Sequence, residues 1–128
     1  MKFKASFSLL LLAFILCITA CGEGEAKLPT DYPNSKWSCD ETEFVFSVTN
    51  DNKVENAKIT DKDGNDTDVS ITFSTVEEAR FSVNSVDGST VYFSGECVYG
   101  NKSITMTITD RYDSKFKDLP VILHFRKS

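Results

Sequence analysis

Apolar residues recur at every second position through most of the chain between residues 44 and 125, and that rhythm limits the fold more than any other feature. Phe44, Phe46 and Val48 alternate with Val45, Ser47 and Thr49, and Val69, Ile71 and Phe73 with Ser70, Thr72 and Ser74. Ala79, Phe81 and Val83, then Val91, Phe93, Gly95, Cys97 and Tyr99, repeat the pattern, as do Ile104, Met106 and Ile108. Ala57 and Ile59 follow Val54, and Val121, Leu123 and Phe125 close the series. A period of two puts one set of side chains on each face of a strand, so these segments are strands with one buried and one wet face. Their Val, Ile, Phe and Thr content suits a pleated, half-buried surface. No helix-period segment is evident after residue 21.

Turn residues separate the runs: Asn50-Asp51-Asn52, Asp63-Gly64-Asn65, Asp87-Gly88 and Tyr99-Gly100-Asn101. Gly and Asn tolerate the positive φ of tight hairpins. Short links make successive strands antiparallel neighbours. With a first strand around Trp37 to Cys39, the pattern predicts an all-β domain of about eight strands in an up-and-down meander. Closing the meander into a small barrel removes the raw edges and covers the apolar face. A β-sandwich is the alternative.

The N-terminus carries a different message. Lys2 and Lys4 precede an apolar run from Ser6 to Ile18, which is shorter than the about 20 residues that span a bilayer. Ile18-Thr19-Ala20-Cys21 follows, and then polar Gly22-Glu23-Gly24-Glu25. This order reads as a secretory signal. The four residues ending at Cys21 resemble the lipobox of bacterial lipoproteins. The resemblance implies a signal peptide over 1–20, lipidation of Cys21 with palmitate-type chains, and a membrane-anchored protein of the bacterial cell envelope facing outside the cytoplasm. Several acyl chains, at about 0.8 kcal/mol per buried methylene, hold such an anchor where one would be marginal. Residues 21–34, with Pro29 and Pro33 and no periodicity, read as the lipidated cysteine and a flexible tether. The barrel domain is expected over 35–128.

Charge narrows the partners. Of 14 basic residues, Lys2 and Lys4 fall in the leader, leaving 12 against 19 acidic ones and a net charge of −7. Nucleic acid is not expected as a partner, and an acidic surface does not favour docking of the domain itself on anionic lipid. Cys39 and Cys97 are the two cysteines left once Cys17 goes with the leader and Cys21 takes the lipid. In an oxidising compartment they are expected to pair, with two buried free thiols as the alternative. Both lie on inward faces. A bridge over 58 positions would contribute about 4 kcal/mol in the chain-entropy model. With one histidine and no Cys-x-x-Cys pair, neither a metal nor another cofactor is expected.

The leader, the tether, Trp37 on the first strand and the meander together resemble small bacterial lipocalin-like, calycin-type barrels over residues 35–128. Ser35-Lys36-Trp37 stands where that family has Gly-x-Trp. The resemblance implies a ligand-binding module, and an arginine near the last strand, Arg126, packed on Trp37 by a cation–π contact.

Catalytic groups are scarce. His124 alternates with Leu123 and Phe125 and so faces outward, with no nucleophile and orienting partner spaced for it. The acid pairs Asp40-Glu41 and Glu77-Glu78 read as solvated charge. The segment Asp61 to Asp68 has its glycine at the fourth position rather than the sixth, which breaks the frame of a calcium loop. Asn65-Asp66-Thr67 and Asn101-Lys102-Ser103 match glycosylation sequons, which carry no weight behind a bacterial lipobox. The long connection from Asp110 to Pro120 is the candidate partner contact, through Arg111, Tyr112, Phe116 and Lys117. Tyr112, Phe116 and Leu119 are expected to plug one barrel end, leaving Arg111 and Lys117 exposed. The expectation is thus a non-enzymatic binding module for a small apolar ligand or an envelope protein. An inhibitor of a secreted hydrolase, such as a protease or lysozyme, is the alternative.

Overall fold

The computed structural model describes residues 26–128; the leader and Cys21 lie outside the described residues. Eight strands follow one another: β1 (Ser35–Cys39), β2 (Glu43–Val48), β3 (Val54–Thr60), β4 (Asp66–Phe73), β5 (Arg80–Ser85), β6 (Val91–Tyr99), β7 (Ser103–Arg111) and β8 (Ile122–Lys127). Each pairs antiparallel with its sequence neighbours, and β1 pairs with β8 to close the barrel. The expected meander and closure both hold.

The alternation becomes the core. Trp37, Phe44, Phe46, Phe93 and Phe125 are all at most 1% exposed and meet inside the barrel. Phe125 packs edge-on against Phe44 at 4.9 Å and tilted against Phe46 at 5.6 Å. Such pairs add about 0.5–1.5 kcal/mol beyond the area they bury. Where the rhythm breaks, the ladder shows why. Between the pairs Val45↔Lys58 and Ser47↔Glu55, Phe46 faces both Asn56 and Ala57. Asn56 adopts φ 55°, so one extra residue is absorbed in a bulge and Ala57 and Ile59 return to the core. The hairpins take positive φ at Asn52, Gly64, Gly88 and Lys102; in the last turn Lys102 takes it rather than Gly100 or Asn101.

Residues 28–34 correct the expectation of a free tether up to Asn34. Pro29 is buried in a short 3₁₀ turn, Pro29–Asp31. Tyr32 lies 5.8 Å from the Trp37 ring, and its hydroxyl accepts from the Lys102 N–H at 3.0 Å. The Asn52 side-chain amide donates to the Thr30 carbonyl at 2.6 Å. The segment is therefore a strap bound across the end of the barrel made by the β2–β3 and β6–β7 loops.

The expected bridge between Cys39 and Cys97 is not formed, and both thiols are free. Alternation correctly turned both toward the interior, but the two sit toward opposite ends of the barrel. Cys39 ends β1 at the β1–β2 loop, where its Sγ donates to the Glu41 carboxylate at 3.4 Å. Cys97 lies near the end of β6, its N–H bonded to the Ala79 carbonyl in the β4–β5 connection. Arg126 also departs from its implied role. It is paired with outward Ser38 across the β1–β8 ladder and bonds Asp40 at 2.8 Å instead of covering Trp37. Trp37 is stacked on Phe46 at 5.8 Å.

A turn in the β5–β6 hairpin supplies a pH-dependent prediction. Asp87 accepts from the Ser89 N–H at 3.0 Å and from the Ser85 and Ser89 hydroxyls at 2.8 Å each. The Ser89 N–H, followed by the two hydroxyls, lowers its carboxyl from an ordinary 3.8 to about 2. A group depressed in the folded state stabilises above its unfolded pKa and loses that contribution as pH falls through the folded one. Stability should therefore decline between about pH 4 and pH 2, and Asp87→Asn should flatten the profile in that window. Urea melts across the range check this; parallel profiles for the two proteins would contradict it.

Candidate functional site

The connections alternate between the two barrel ends. The β1–β2, β3–β4 and β7–β8 loops share the end opposite the strap and enclose a cleft of about 550 Å³. Leu119 and Pro120 form its accessible apolar wall, with Phe116 and Ile59 beneath. Glu41, Glu43, Asp61, Asp63 and Asp118 line it, against two basic residues, Lys62 and Lys115.

The β7–β8 connection is held by its own arginine. The Arg111 guanidinium donates to the carbonyls of Phe116 at 2.9 Å, Lys117 at 3.1 Å and Leu119 at 2.8 Å. The fork geometry lets one side chain gather three loop carbonyls. Asp113 caps the turn Ser114–Phe116 by accepting from the Lys115 N–H. Phe116 then drops onto Phe93 and Tyr92, with ring centroids at 5.9 and 5.1 Å.

Of the residues expected to contact a partner, Phe116 is buried at the cleft floor, and so serves as the expected plug. Leu119 is half-buried beside it. Tyr112 is not part of the plug: it is 62% exposed and its hydroxyl meets Ser94 outside the barrel. Arg111 is engaged in the loop rather than free for a partner. Lys117 is exposed and lies 3.7 Å from Asp118. The acids of the β1–β2 and β3–β4 loops were not expected to join this site. Their sequence signal was the acidic clusters 40–41 and 61–68, and only the alternation of loop ends brings them beside residues 115–120.

Glu41 connects the cleft to the barrel wall. Its carboxylate accepts from the His124 N–H at 2.7 Å and is bonded to the His124 ring. Desolvation pushes the Glu41 carboxyl up, but the His124 N–H and ring, with the Cys39 thiol, outweigh it and leave it lowered. Burial pushes the Cys39 thiol up to about 11, so it stays protonated. Asp61 accepts from the N–H groups of Asp63 and Asn65 at 2.9 Å each, which fixes the β3–β4 turn. Among the described residues no three His, Cys, Asp or Glu side chains converge as a metal site.

No protein-family model, curated protein or solved structure matches this chain.

Proposed function

We propose that this chain is a lipid-anchored, extracytoplasmic binding module, attached through Cys21 and offering the loop end of its barrel to an envelope protein. Lys2, Lys4, the apolar run and Ile18-Thr19-Ala20-Cys21 support the anchor, and the lipocalin-like reading agrees with an eight-stranded closed meander. The observation that carries the reading is the division of the barrel into two ends. The chain reaches the barrel at the strapped end, and the cleft opens at the other. Seven positions separate Cys21 from Leu28, a reach of at most about 25 Å. An anchor at Cys21 would hold the strapped end toward the bilayer and the cleft away from it.

The packed interior moves the proposed binding surface from the barrel's centre to its rim. A small apolar ligand inside the barrel would have to displace Phe46 and Phe125. The reading is non-enzymatic. His124 is engaged by Glu41, and Cys39, held as a thiol, is the opposite of an activated nucleophile. The ordered loop gathered by Arg111, with Lys117 outward, favours a second reading as an inhibitor of a secreted hydrolase. Such a loop loses little freedom on binding.

Metabolic labelling with tagged palmitate in a bacterial host tests the anchor. The native chain should take up label and lose its leader, and Cys21→Ser should do neither. Label retained by Cys21→Ser, or absent from the native chain, would reject the anchor. Label incorporation is the readout because an uncleaved leader could itself hold the variant at the membrane.

A further inference from the structure

We propose that the rim cleft binds an extended basic peptide segment of an envelope partner, with an apolar side chain lodged against Leu119 and Pro120. This rests on the binding-module reading and specifies its partner's chemistry. The argument is charge complementarity on a shaped surface. Five carboxylates line the cleft against two lysines. Lys62 is held by Asp118 at 3.3 Å, and Glu41 is engaged by His124. Glu43, at the start of β2, and Asp61 and Asp63, in the β3–β4 turn, have no ion-pair partner among the described residues; Lys115 is the one lining cation also unpaired there, so the cleft keeps a net negative charge. A divalent cation needs donors that converge within one coordination sphere, and among the described residues no three His, Cys, Asp or Glu side chains do so. Lysine or arginine side chains can reach separated carboxylates from one extended backbone. The cleft runs from the β1–β2 loop across the β3–β4 turn to residues 115–120, which suits a segment laid along it. A net charge of −7 after the leader would draw a basic partner in and repel acidic ones.

The test uses the full chain in non-ionic detergent, titrated calorimetrically with the capped pentapeptide Lys-Leu-Lys-Leu-Lys and corrected with empty micelles. One saturable site is expected, weakened by added salt and weakened about tenfold in the double variant Glu43→Gln, Asp63→Asn. The Lys-Ser-Lys-Ser-Lys counterpart should bind several-fold more weakly, and Glu-Leu-Glu-Leu-Glu should not bind. Both replaced residues are exposed, and unchanged circular dichroism would show that the variant is folded. Absence of a saturable site, equal affinity for the double variant, or equal affinity for the serine peptide would overturn the proposal. Saturable binding of calcium chloride abolished by the same double variant would also overturn it, in favour of a cation site. None of these results bears on palmitate labelling at Cys21, so the two readings fail separately.

Discussion

Replacing Gly95 with alanine is expected to lower the unfolding free energy by about 3 kcal/mol or more, a large part of the 5–15 kcal/mol that such a domain has. A Cβ at this position would lie 1.9 Å from the Thr107 carbonyl oxygen and 2.9 Å from the Thr109 nitrogen. These are backbone atoms, which cannot rotate away as a side-chain tip could. The approach has a local cause. Ser94 pairs with Asp110 but Gly95 pairs with Ile108, so Thr109 is the extra residue of a bulge, and β7 bends toward Gly95 there. Gly64→Ala is the matched control. Nothing lies within 4 Å of a Cβ at Gly64, and its φ of 85° leaves only the left-handed penalty of about 1–2 kcal/mol. Urea melts followed by Trp37 fluorescence compare the two. Equal midpoints would show that β6 and β7 can part at the bulge without cost.

Trp37→Ala should cost about 3–5 kcal/mol, and its damage should reach beyond the cavity it leaves. The indole is 1% exposed, stacked on Phe46 and covered by Tyr32. Its Nε1–H donates to the Ser35 hydroxyl at 2.9 Å, and that hydroxyl donates to the Tyr32 carbonyl at 2.6 Å. Removing the ring leaves Ser35, 4% exposed, without a donor and takes away the surface on which Tyr32 rests. Two effects are therefore expected: a lower urea midpoint by circular dichroism, and faster protease cleavage within residues 26–34. Trp37→Phe keeps a ring against Phe46 but drops the Nε1–H, so it should recover much of the midpoint and less of the protection. Unchanged cleavage in Trp37→Ala would mean that the loop contacts of Thr49, Asn52, Asn101 and Lys102 hold the strap without the indole.

Period two carried most of this fold. It selected most of the inward residues of the strands, though Val91 and Val121, at the start of their runs, are exposed, and turn chemistry joined the strands in order, because both signals are local. What it lacked was position along the barrel axis. Cys39 and Cys97 share an interior but not a level, since strand alternation reports the face of a residue and not its height. The strap was missed for another reason. Residues 28–32 have no periodicity, and the partners of Thr30 (Asn52) and of Tyr32 (Asn101 and Lys102) are supplied by loops far along the chain. In the site, Phe116 was legible as an apolar residue in a polar connection. Arg111 was legible only as a charge, because three carbonyls of its own loop are recognisable as its partners only once that loop is folded.

The ladder between β1 and β8 joins Trp37 to Lys127, 90 positions apart in the chain. Until Ile122–Lys127 is available, β1 and β7 each present a bare row of backbone donors and acceptors, and long-range closure of this kind is slow. A chain threaded through a membrane from its N-terminus delivers the closing strand last. On the proposed anchoring, acylation at Cys21 would then act on a polypeptide still unable to seal itself. Any product stopped short of Ile122 would carry two open edges, each suited to pairing with another copy.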